Sequence, residues 1–209
     1  MTVGIVTSVY GEEYLPFLPG WAEAIAALDV KPDAIAIAYN GEASKYQAAV
    51  NALLDVTWVA DLRPYRIHPQ VRVNAAIAAT HTDWIVKMDV DDRLLPHALT
   101  GWQDADADIV NFGYTVGTAD LPSRYISAED ILRKAGNSIG SGSPFRRYVW
   151  ERNPFEDRAY DDWVFWIKAA RAGFRFTATG RVDYVYTQHP GQITHRLDHS
   201  AAQREVVAL

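Results

Sequence analysis

The fold is decided by the stretch Trp84-Ile85-Val86-Lys87-Met88-Asp89-Val90-Asp91-Asp92, in which a hydrophobic strand ends directly in three carboxylates. Each carboxylate raises the pKa of the next, so a positive charge is expected nearby to offset the repulsion. A hard divalent ion, held by carboxylate oxygens and by a phosphate-bearing substrate, would supply that charge. The competing interpretation is a solvated turn in which Asp92 caps a helix over residues 93–99. This stretch alone leaves both interpretations open.

Strand-like and helix-like segments alternate around this stretch. We predict strands over residues 3–9, 34–39, 56–60, 84–88, 108–114 and 182–186. We predict helices over residues 21–28, 44–54, 71–79 and 161–172, and a capping box at Ser127 opens one more short helix. The order predicts an α/β fold with a doubly wound, mostly parallel sheet and helices on both faces, in a single domain. Ligands of such sheets bind beyond the carboxyl ends of the strands, which selects residues 7–13, 40–42 and 89–93.

The bulk properties are those of an ordinary globular protein. The chain has 209 residues, of which 49% are hydrophobic and 22% charged, and the absence of cysteine excludes disulfides and thiolate metal sites. The first residues do not resemble a signal peptide, and no apolar run approaches the ~20 residues that span a bilayer. We therefore expect a cytoplasmic protein without membrane insertion. The formal charge of −6 and the scattered arginines argue against a nucleic-acid partner.

A second acidic feature, Asp161-Asp162, opens the helix predicted over residues 161–172. Aspartate is favoured at the N-cap and in the first turn of helices, which accounts for one of the two residues. The other is a candidate general base that accepts a proton from an attacking hydroxyl. The helix N-terminus favours the ionised form, which suits a base but weakens its proton affinity. The buried face of this helix is predicted to consist of Trp163, Trp166, Ile167 and Ala170, with Gly173 just beyond its end.

Two further segments of the second half are candidates for function. His189 follows the last predicted strand and is either a metal ligand or phosphate donor, or an ordinary surface or core histidine. His195 and His199 lie near it in the sequence. Residues 136–142 are rich in Gly and Ser, and we predict a mobile loop that closes over a substrate.

In this order and at these spacings, the motifs resemble those of glycosyltransferase family 2, a large group of enzymes with the GT-A fold. The resemblance spans nearly the whole chain and rests on five segments, each weak alone but specific as an ordered set. The segments are Val6-Thr7-Ser8-Val9-Tyr10-Gly11-Glu12-Glu13-Tyr14-Leu15; Asn74-Ala75-Ala76-Ile77-Ala78-Ala79 with Asp83-Trp84-Ile85; Asp89-Val90-Asp91-Asp92-Arg93-Leu94-Leu95-Pro96; Asp161-Asp162-Trp163 with Gly173-Phe174; and Tyr186-Thr187-Gln188-His189-Pro190-Gly191.

The resemblance implies a role for each matching position. It implies that a nucleotide-diphosphate sugar is bound by Thr7, Tyr10, Glu12, Asn40, Arg72 and Asp89. It implies that a divalent metal, Mn²⁺ or Mg²⁺, is bound by Asp91, Asp89 and His189. It implies that Asp162 is the general base, with Asp161 as the second choice. Residues 1–114 are then the half that binds nucleotide sugar and metal, and residues 115–209 the half that binds the acceptor and carries the base.

Two departures from the family pattern concern the donor. Asn40 stands where the family has a carboxylate that contacts the base, and Arg72 lies two residues before Asn74, where the family's arginine is closer. An amide oxygen still accepts a hydrogen bond from the ring N–H of uracil or thymine, so a UDP- or TDP-sugar is favoured.

The resemblance implies transfer of the sugar to an acceptor hydroxyl in one displacement, which inverts the anomeric centre. A first alternative is a nucleotidyltransferase, but residues 7–14 lack the Lys or Arg that would bind a triphosphate. A second alternative is a non-catalytic, carbohydrate-binding relative, for which the seven Trp and eleven Tyr residues would provide stacking surfaces.

Overall fold

The chain folds around one mixed β-sheet with helices packed on both faces. The computed structural model describes residues 1–9, 11–41, 43–62, 69–192 and 198–209. Within them the strands are β1 (Val3–Val9), β2 (Ala34–Tyr39), β3 (Thr57–Ala60), β4 (Trp84–Lys87), β5 (Arg93–Leu94), β6 (Ile109–Val116), β7 (Ala119–Leu121), β8 (Phe145–Arg146) and β9 (Phe176–Tyr186). The helices are α1 (Leu18–Ala26), α2 (Ala43–Val50), α3 (Val73–Ala79), α4 (Ala128–Leu132), α5 (Arg147–Arg152), α6 (Asp161–Arg171) and α7 (His199–Val207), with short 3-10 helices at Glu12–Phe17 and Pro69–Arg72.

The strand order is β3-β2-β1-β4-β8-β6-β9-β5, and β7 pairs with β6. The first four strands in this order are mutually parallel, as the alternation of strands and helices predicted. The short β8 lies antiparallel between β4 and β6, and β9 then runs parallel to β6. The mostly parallel sheet is therefore confirmed. The strands that the sequence did not predict, β5, β7 and β8, have only two or three residues, too few for a periodic signal.

Each face of the sheet has its own hydrophobic core. Side chains alternate along β1, so Ile5 packs under α1 and α2 whereas Val6 packs under α3. Trp21 of α1 anchors the first core, and Trp166 of α6 lies in the second. The predicted buried face of α6 is confirmed, and Gly173 follows its C-cap with a φ of 81°.

Three local predictions are corrected by the structure. Asp92 caps no helix, because residues 93–94 form β5 and pair with β9. The helix predicted over residues 44–54 is α2, which begins at Ala43 and ends at Val50. The N-cap of α6 is Tyr160, in the left-handed conformation with a φ of 55° and without a capping hydrogen bond from its side chain, so Asp161 and Asp162 both lie in the first turn.

Among the described residues, no helix is both long enough and apolar enough to cross a bilayer.

Candidate active site

A cavity of about 780 Å³ opens at the carboxyl ends of β1 and β4. Its walls also include parts of β6 and β9, the start of α6 and residues 137–141. The described residues that line it include six carboxylates and two cations: Asp89, Asp91, Asp92, Asp120, Asp161 and Asp162, with Lys87 and Arg124. The sequence segments 89–93 and 161–162, which lie far apart along the chain, therefore meet at the edge where a parallel sheet binds its ligands.

Lys87 provides a positive charge inside this acidic cluster. Its side chain is buried, and Nζ donates a hydrogen bond of 2.9 Å to Oδ1 of Asp89. Burial by itself lowers the pKa of Lys87, but the charges of Asp89, Asp161 and Asp162 outweigh burial and raise the pKa above its ordinary value. Lys87 is therefore protonated. The chain itself supplies part of the positive charge that the sequence analysis assigned to a bound cation.

Asp91 and His189 face each other although they are 98 positions apart in the sequence. Oδ2 of Asp91 lies 2.9 Å from Nε2 of His189. The imidazole packs against the ring of Phe17, with 4.5 Å between the ring centroids. Burial and the neighbouring charge of Asp89 raise the pKa of Asp91.

Asp92 holds the two segments of this pair together. Its side chain is buried, and Oδ1 accepts a hydrogen bond of 2.9 Å from the backbone N–H of Thr187. The bond ties the turn after β4 to the segment after β9, which carries His189. Burial, with the charges of Asp89 and Asp91, raises the pKa of Asp92 well above its ordinary value.

The chemistry of these residues fits a divalent cation. Two ligand atoms on one metal ion are about 3 Å apart when bonds of about 2.1 Å meet at a right angle, and the Asp91–His189 separation agrees with this. Within the described residues, no group of three or more His, Cys, Asp or Glu side chains is arranged to hold a metal. A site with two protein ligands is consistent with Mg²⁺ or Mn²⁺ chemistry, in which substrate phosphates complete the coordination shell.

The two carboxylates of α6 have different environments. Asp161 is 3% exposed, and its Oδ2 has no hydrogen-bond partner among the described residues. Asp162 is half-buried, and Oδ1 accepts a bond of 2.8 Å from the N–H of Trp163. Burial, together with the charge of Asp161, raises the pKa of Asp162 to about 6. The expected weak proton affinity is therefore wrong, because burial outweighs the effect of the helix N-terminus.

Residues of the Gly- and Ser-rich loop complete the site around Asp162. Nδ2 of Asn137 donates a hydrogen bond of 2.8 Å to Oδ2 of Asp162. Asn111 on β6 anchors the loop, because its Oδ1 accepts a bond of 3.2 Å from the N–H of Gly140. Ile139 and Gly140 are buried, so this part of the loop is packed against the sheet.

The residues predicted to bind the nucleotide lie at the first three parallel strands. Thr7 is buried near the end of β1 and Asn40 follows β2, and Oγ1 of Thr7 and Oδ1 of Asn40 are buried without a hydrogen-bond partner among the described residues. Arg72 is buried and donates to the carbonyl oxygen of Asp61, just after β3. Glu12 lies on the surface in an ion pair of 2.5 Å with Lys45.

Three predicted positions lie outside the described residues: Tyr10 and Glu42 of the nucleotide segments, and His195. Of the predicted nucleotide residues that the structure describes, Asp89 alone lines the cavity. The nucleotide assignments of the others stay predictions.

Sequence reasoning missed Lys87 and Asn137 as individual parts of the site. Lys87 carried a signal, since a lysine inside a buried strand two residues before a carboxylate is rarely left unpaired. Asn137 lies in the loop singled out over residues 136–142, but its contact with Asp162 had no signal, because only the folded chain brings the two residues together.

Several solved structures are similar to this chain in fold. S. aureus TarS, residues 1–349, matches with a TM-score of 0.71 and 12% identity over 100% of this chain and 70% of that one. S. aureus TarS 1–349 in complex with UDP-GlcNAc matches with a TM-score of 0.73 and 13% identity over 99% of this chain and 64% of that one. Mannosyltransferase PcManGT from Pyrobaculum calidifontis, in complex with GDP-Man and Mn²⁺, matches with a TM-score of 0.69 and 18% identity over 99% of this chain and 64% of that one.

These likenesses establish the fold. The chain has the GT-A fold that the sequence predicted, in nearly its full length. It spans about two-thirds of the chains it matches, 64% of the last two. No protein-family model and no curated protein sequence matches the chain.

Proposed function

We propose that this chain is a metal-dependent glycosyltransferase of family 2, which transfers a sugar from a nucleoside diphosphate to an acceptor hydroxyl with inversion at the anomeric carbon. The observation that carries the proposal is that Asp91 and Asp162 line one cavity of a GT-A fold, and that Asp91 is in contact with His189. The fold by itself does not imply the activity, so the assignment rests on this site. The binding of UDP-GlcNAc by one similar structure, and of GDP-Man with Mn²⁺ by another, supports it.

The order of the strands supports a position for the donor. Its base lies near Thr7 and Asn40, whose buried oxygens need a partner, and its diphosphate lies near Asp91 and His189 at the end of β4. Oδ1 of Asn40 accepts the ring N–H of a pyrimidine, which favours a UDP- or TDP-sugar. When bound, the metal ion stabilises the negative charge that develops on the leaving diphosphate.

The base is Asp162. As the acceptor oxygen forms its bond to the anomeric carbon, the carboxylate takes the hydroxyl proton, and the nucleoside diphosphate leaves with the electrons of the broken bond. A pKa of about 6 suits this task, because the group is ionised at neutral pH and still binds a proton better than an ordinary aspartate. Asp161 and Lys87 set this pKa in opposite directions: the first raises it and the second lowers it.

The proposal is tested by titration calorimetry with UDP-, TDP-, GDP- and ADP-sugars in the presence and absence of Mn²⁺. We expect binding that requires Mn²⁺, with a pyrimidine nucleotide preferred. Clear preference for a purine nucleotide overturns the assignment of Asn40. Failure of every nucleotide sugar to bind overturns the proposed function.

A further inference from the structure

One wall of the cavity is aromatic, and the assignments above do not use it. Tyr114 of β6 is in register with Tyr184 of β9, and Val116 with Tyr186. On the other side of β6, Leu121 of β7 is in register with Tyr114. Because residues two apart on a strand share a face, these five lining residues form one surface, here called the tyrosine wall.

The rings of the tyrosine wall are fixed before any ligand arrives. Tyr184 is buried and packs against Tyr114 with 5.5 Å between ring centroids, and Tyr186 meets Tyr114 edge-on at 6.3 Å. Tyr114 and Tyr186 are only half-buried, so part of each ring remains open to the cavity. A rigid surface of this kind loses little conformational entropy on binding.

Gly113 allows the backbones of β6 and β9 to approach closely next to Tyr114. The pairing of β6 with β9 shifts register on both sides of Gly113, which is the pattern of a β-bulge. A Cβ at this position would lie 2.3 Å from the carbonyl oxygen of Arg181, so no larger residue fits without moving the backbone. The extra residue lies on β9, between Val182 and Tyr184, so the bulge bends the strand that carries Tyr184 and Tyr186.

The strand order separates the tyrosine wall from the base of the donor. The path from β2, which ends next to Asn40, to β6 runs β2-β1-β4-β8-β6. Four steps of about 4.8 Å give a path of roughly 19 Å across the sheet from β2 to β6. The acidic cluster follows β4, midway along this path, so a donor that extends from β2 to β4 has its base far from Tyr114. Its diphosphate end is next to the wall, because Tyr186 directly precedes Thr187, which is bonded to Asp92. The wall therefore lies at the end of the donor where the acceptor meets the reacting carbon.

We propose that the tyrosine wall binds the acceptor, and that the acceptor is an uncharged saccharide with one sugar ring against Tyr114 and Tyr186. This inference rests on the proposed function. Half-buried tyrosine rings provide a flat apolar face beside a polar hydroxyl group, a combination that suits the mixed surface of a sugar. A polyanionic acceptor is disfavoured, because six carboxylates and two cations line the cavity and one of the cations is already paired with Asp89.

The test is binding of neutral disaccharides, measured by calorimetry in the presence of UDP and Mn²⁺. The variants are Tyr114→Ala, Tyr114→Phe and, as matched control, Tyr125→Ala, since Tyr125 is 67% exposed and lies outside the wall. We expect Tyr114→Ala to weaken binding about tenfold, and the other two to retain it, because the ring carries the contact. If Tyr114→Ala does not fold, Leu121→Asp tests the same surface at a position 44% exposed, with the same weakening expected.

Release of nucleoside diphosphate without acceptor separates this inference from the proposed function. If the parent protein hydrolyses a nucleotide sugar slowly but no neutral saccharide binds or accelerates release, the saccharide proposal is overturned and the transferase proposal stands. Acceleration by an oligonucleotide or by an alkyl phosphate instead of saccharides also overturns it. So does a Tyr114→Ala variant that binds saccharide as well as Tyr125→Ala does.

Discussion

The side-chain amide of Asn137 donates a hydrogen bond of 2.8 Å to Oδ2 of Asp162. The other oxygen of this carboxylate is already bonded to the backbone N–H of Trp163. Together the two bonds fix the plane of the carboxylate that we propose as the base. A loop residue 25 positions away in sequence thus controls the orientation of the reacting group.

Asn137→Ala should slow transfer of the sugar without weakening the binding of the donor. Loss of one of the two bonds leaves Asp162 free to rotate, and misplaced catalytic groups cost roughly 10- to 100-fold in rate. The control is Ser138→Ala, because this neighbouring loop residue also lines the cavity and its hydroxyl makes a long contact of 3.5 Å with the carbonyl oxygen of Gly136. The measurements are kcat and the donor Kd. A positioning role would be contradicted if a fall in donor affinity accounted for the whole loss of transfer activity.

Asp162→Asn should leave donor binding nearly intact and reduce transfer by a factor on the order of 10²–10⁴, the usual contribution of a positioned general base. Asp161→Asn should act differently, because it removes a charge that raises the pKa of Asp162. The acidic limb of the kcat/KM profile should then move to lower pH. If Asp161→Asn abolishes transfer at every pH while Asp162→Asn keeps it, the two roles are reversed.

The stability of the fold should depend on pH through the same two carboxyls. In the folded protein their pKa values are raised from 3.8 to about 6. Between these values the folded state binds more protons than the unfolded state, so the contribution of the pair to stability falls as pH rises from about 4 to 6. The double variant D161N/D162N lacks this pH-dependent contribution to stability, because its amides do not titrate. The melting temperature of this variant, relative to that of the parent protein, should therefore rise as pH increases from about 4 to 6. A difference in melting temperature that does not change with pH would rule out the raised pKa values of the two carboxyls.

Much of the fold follows from periodicity. The parallel strands β1, β2 and β4 are continuous apolar runs, and the helical face of α6 repeats at i, i+3, i+4 and i+7, so both were predictable. The two-residue strands β5 and β8 were not, since they form only because β9 and β6 supply partners. The candidate site likewise has a part that was predictable from the sequence and a part that was not. Asp89 and Asp91 are visible at a strand end, whereas the contact of His189 with Asp91 depends on how β5 pairs with β9.

Asp91→Asn should abolish the Mn²⁺-dependent part of donor binding while the fold survives. An amide keeps the size of the side chain but not the charge that binds a hard cation. The matched control is Asp120→Asn, which removes another carboxylate that lines the cavity. The side chain of Asp120 accepts a hydrogen bond from the hydroxyl of Thr115. Calorimetry with and without Mn²⁺ measures both. Equal loss in the two variants would indicate a general effect of charge instead of a metal ligand.

The measurement that tests the central claim most directly is release of nucleoside diphosphate from a panel of nucleotide sugars in the presence of Mn²⁺, since water replaces the unknown acceptor. The account predicts slow release from at least one donor by the parent protein, dependence on Mn²⁺, and loss of release in Asp162→Asn although donor binding persists. Donor binding without any release by the parent protein would contradict catalysis and indicate a carbohydrate-binding relative of the same fold. Release that is unchanged in Asp162→Asn would contradict the assignment of the base.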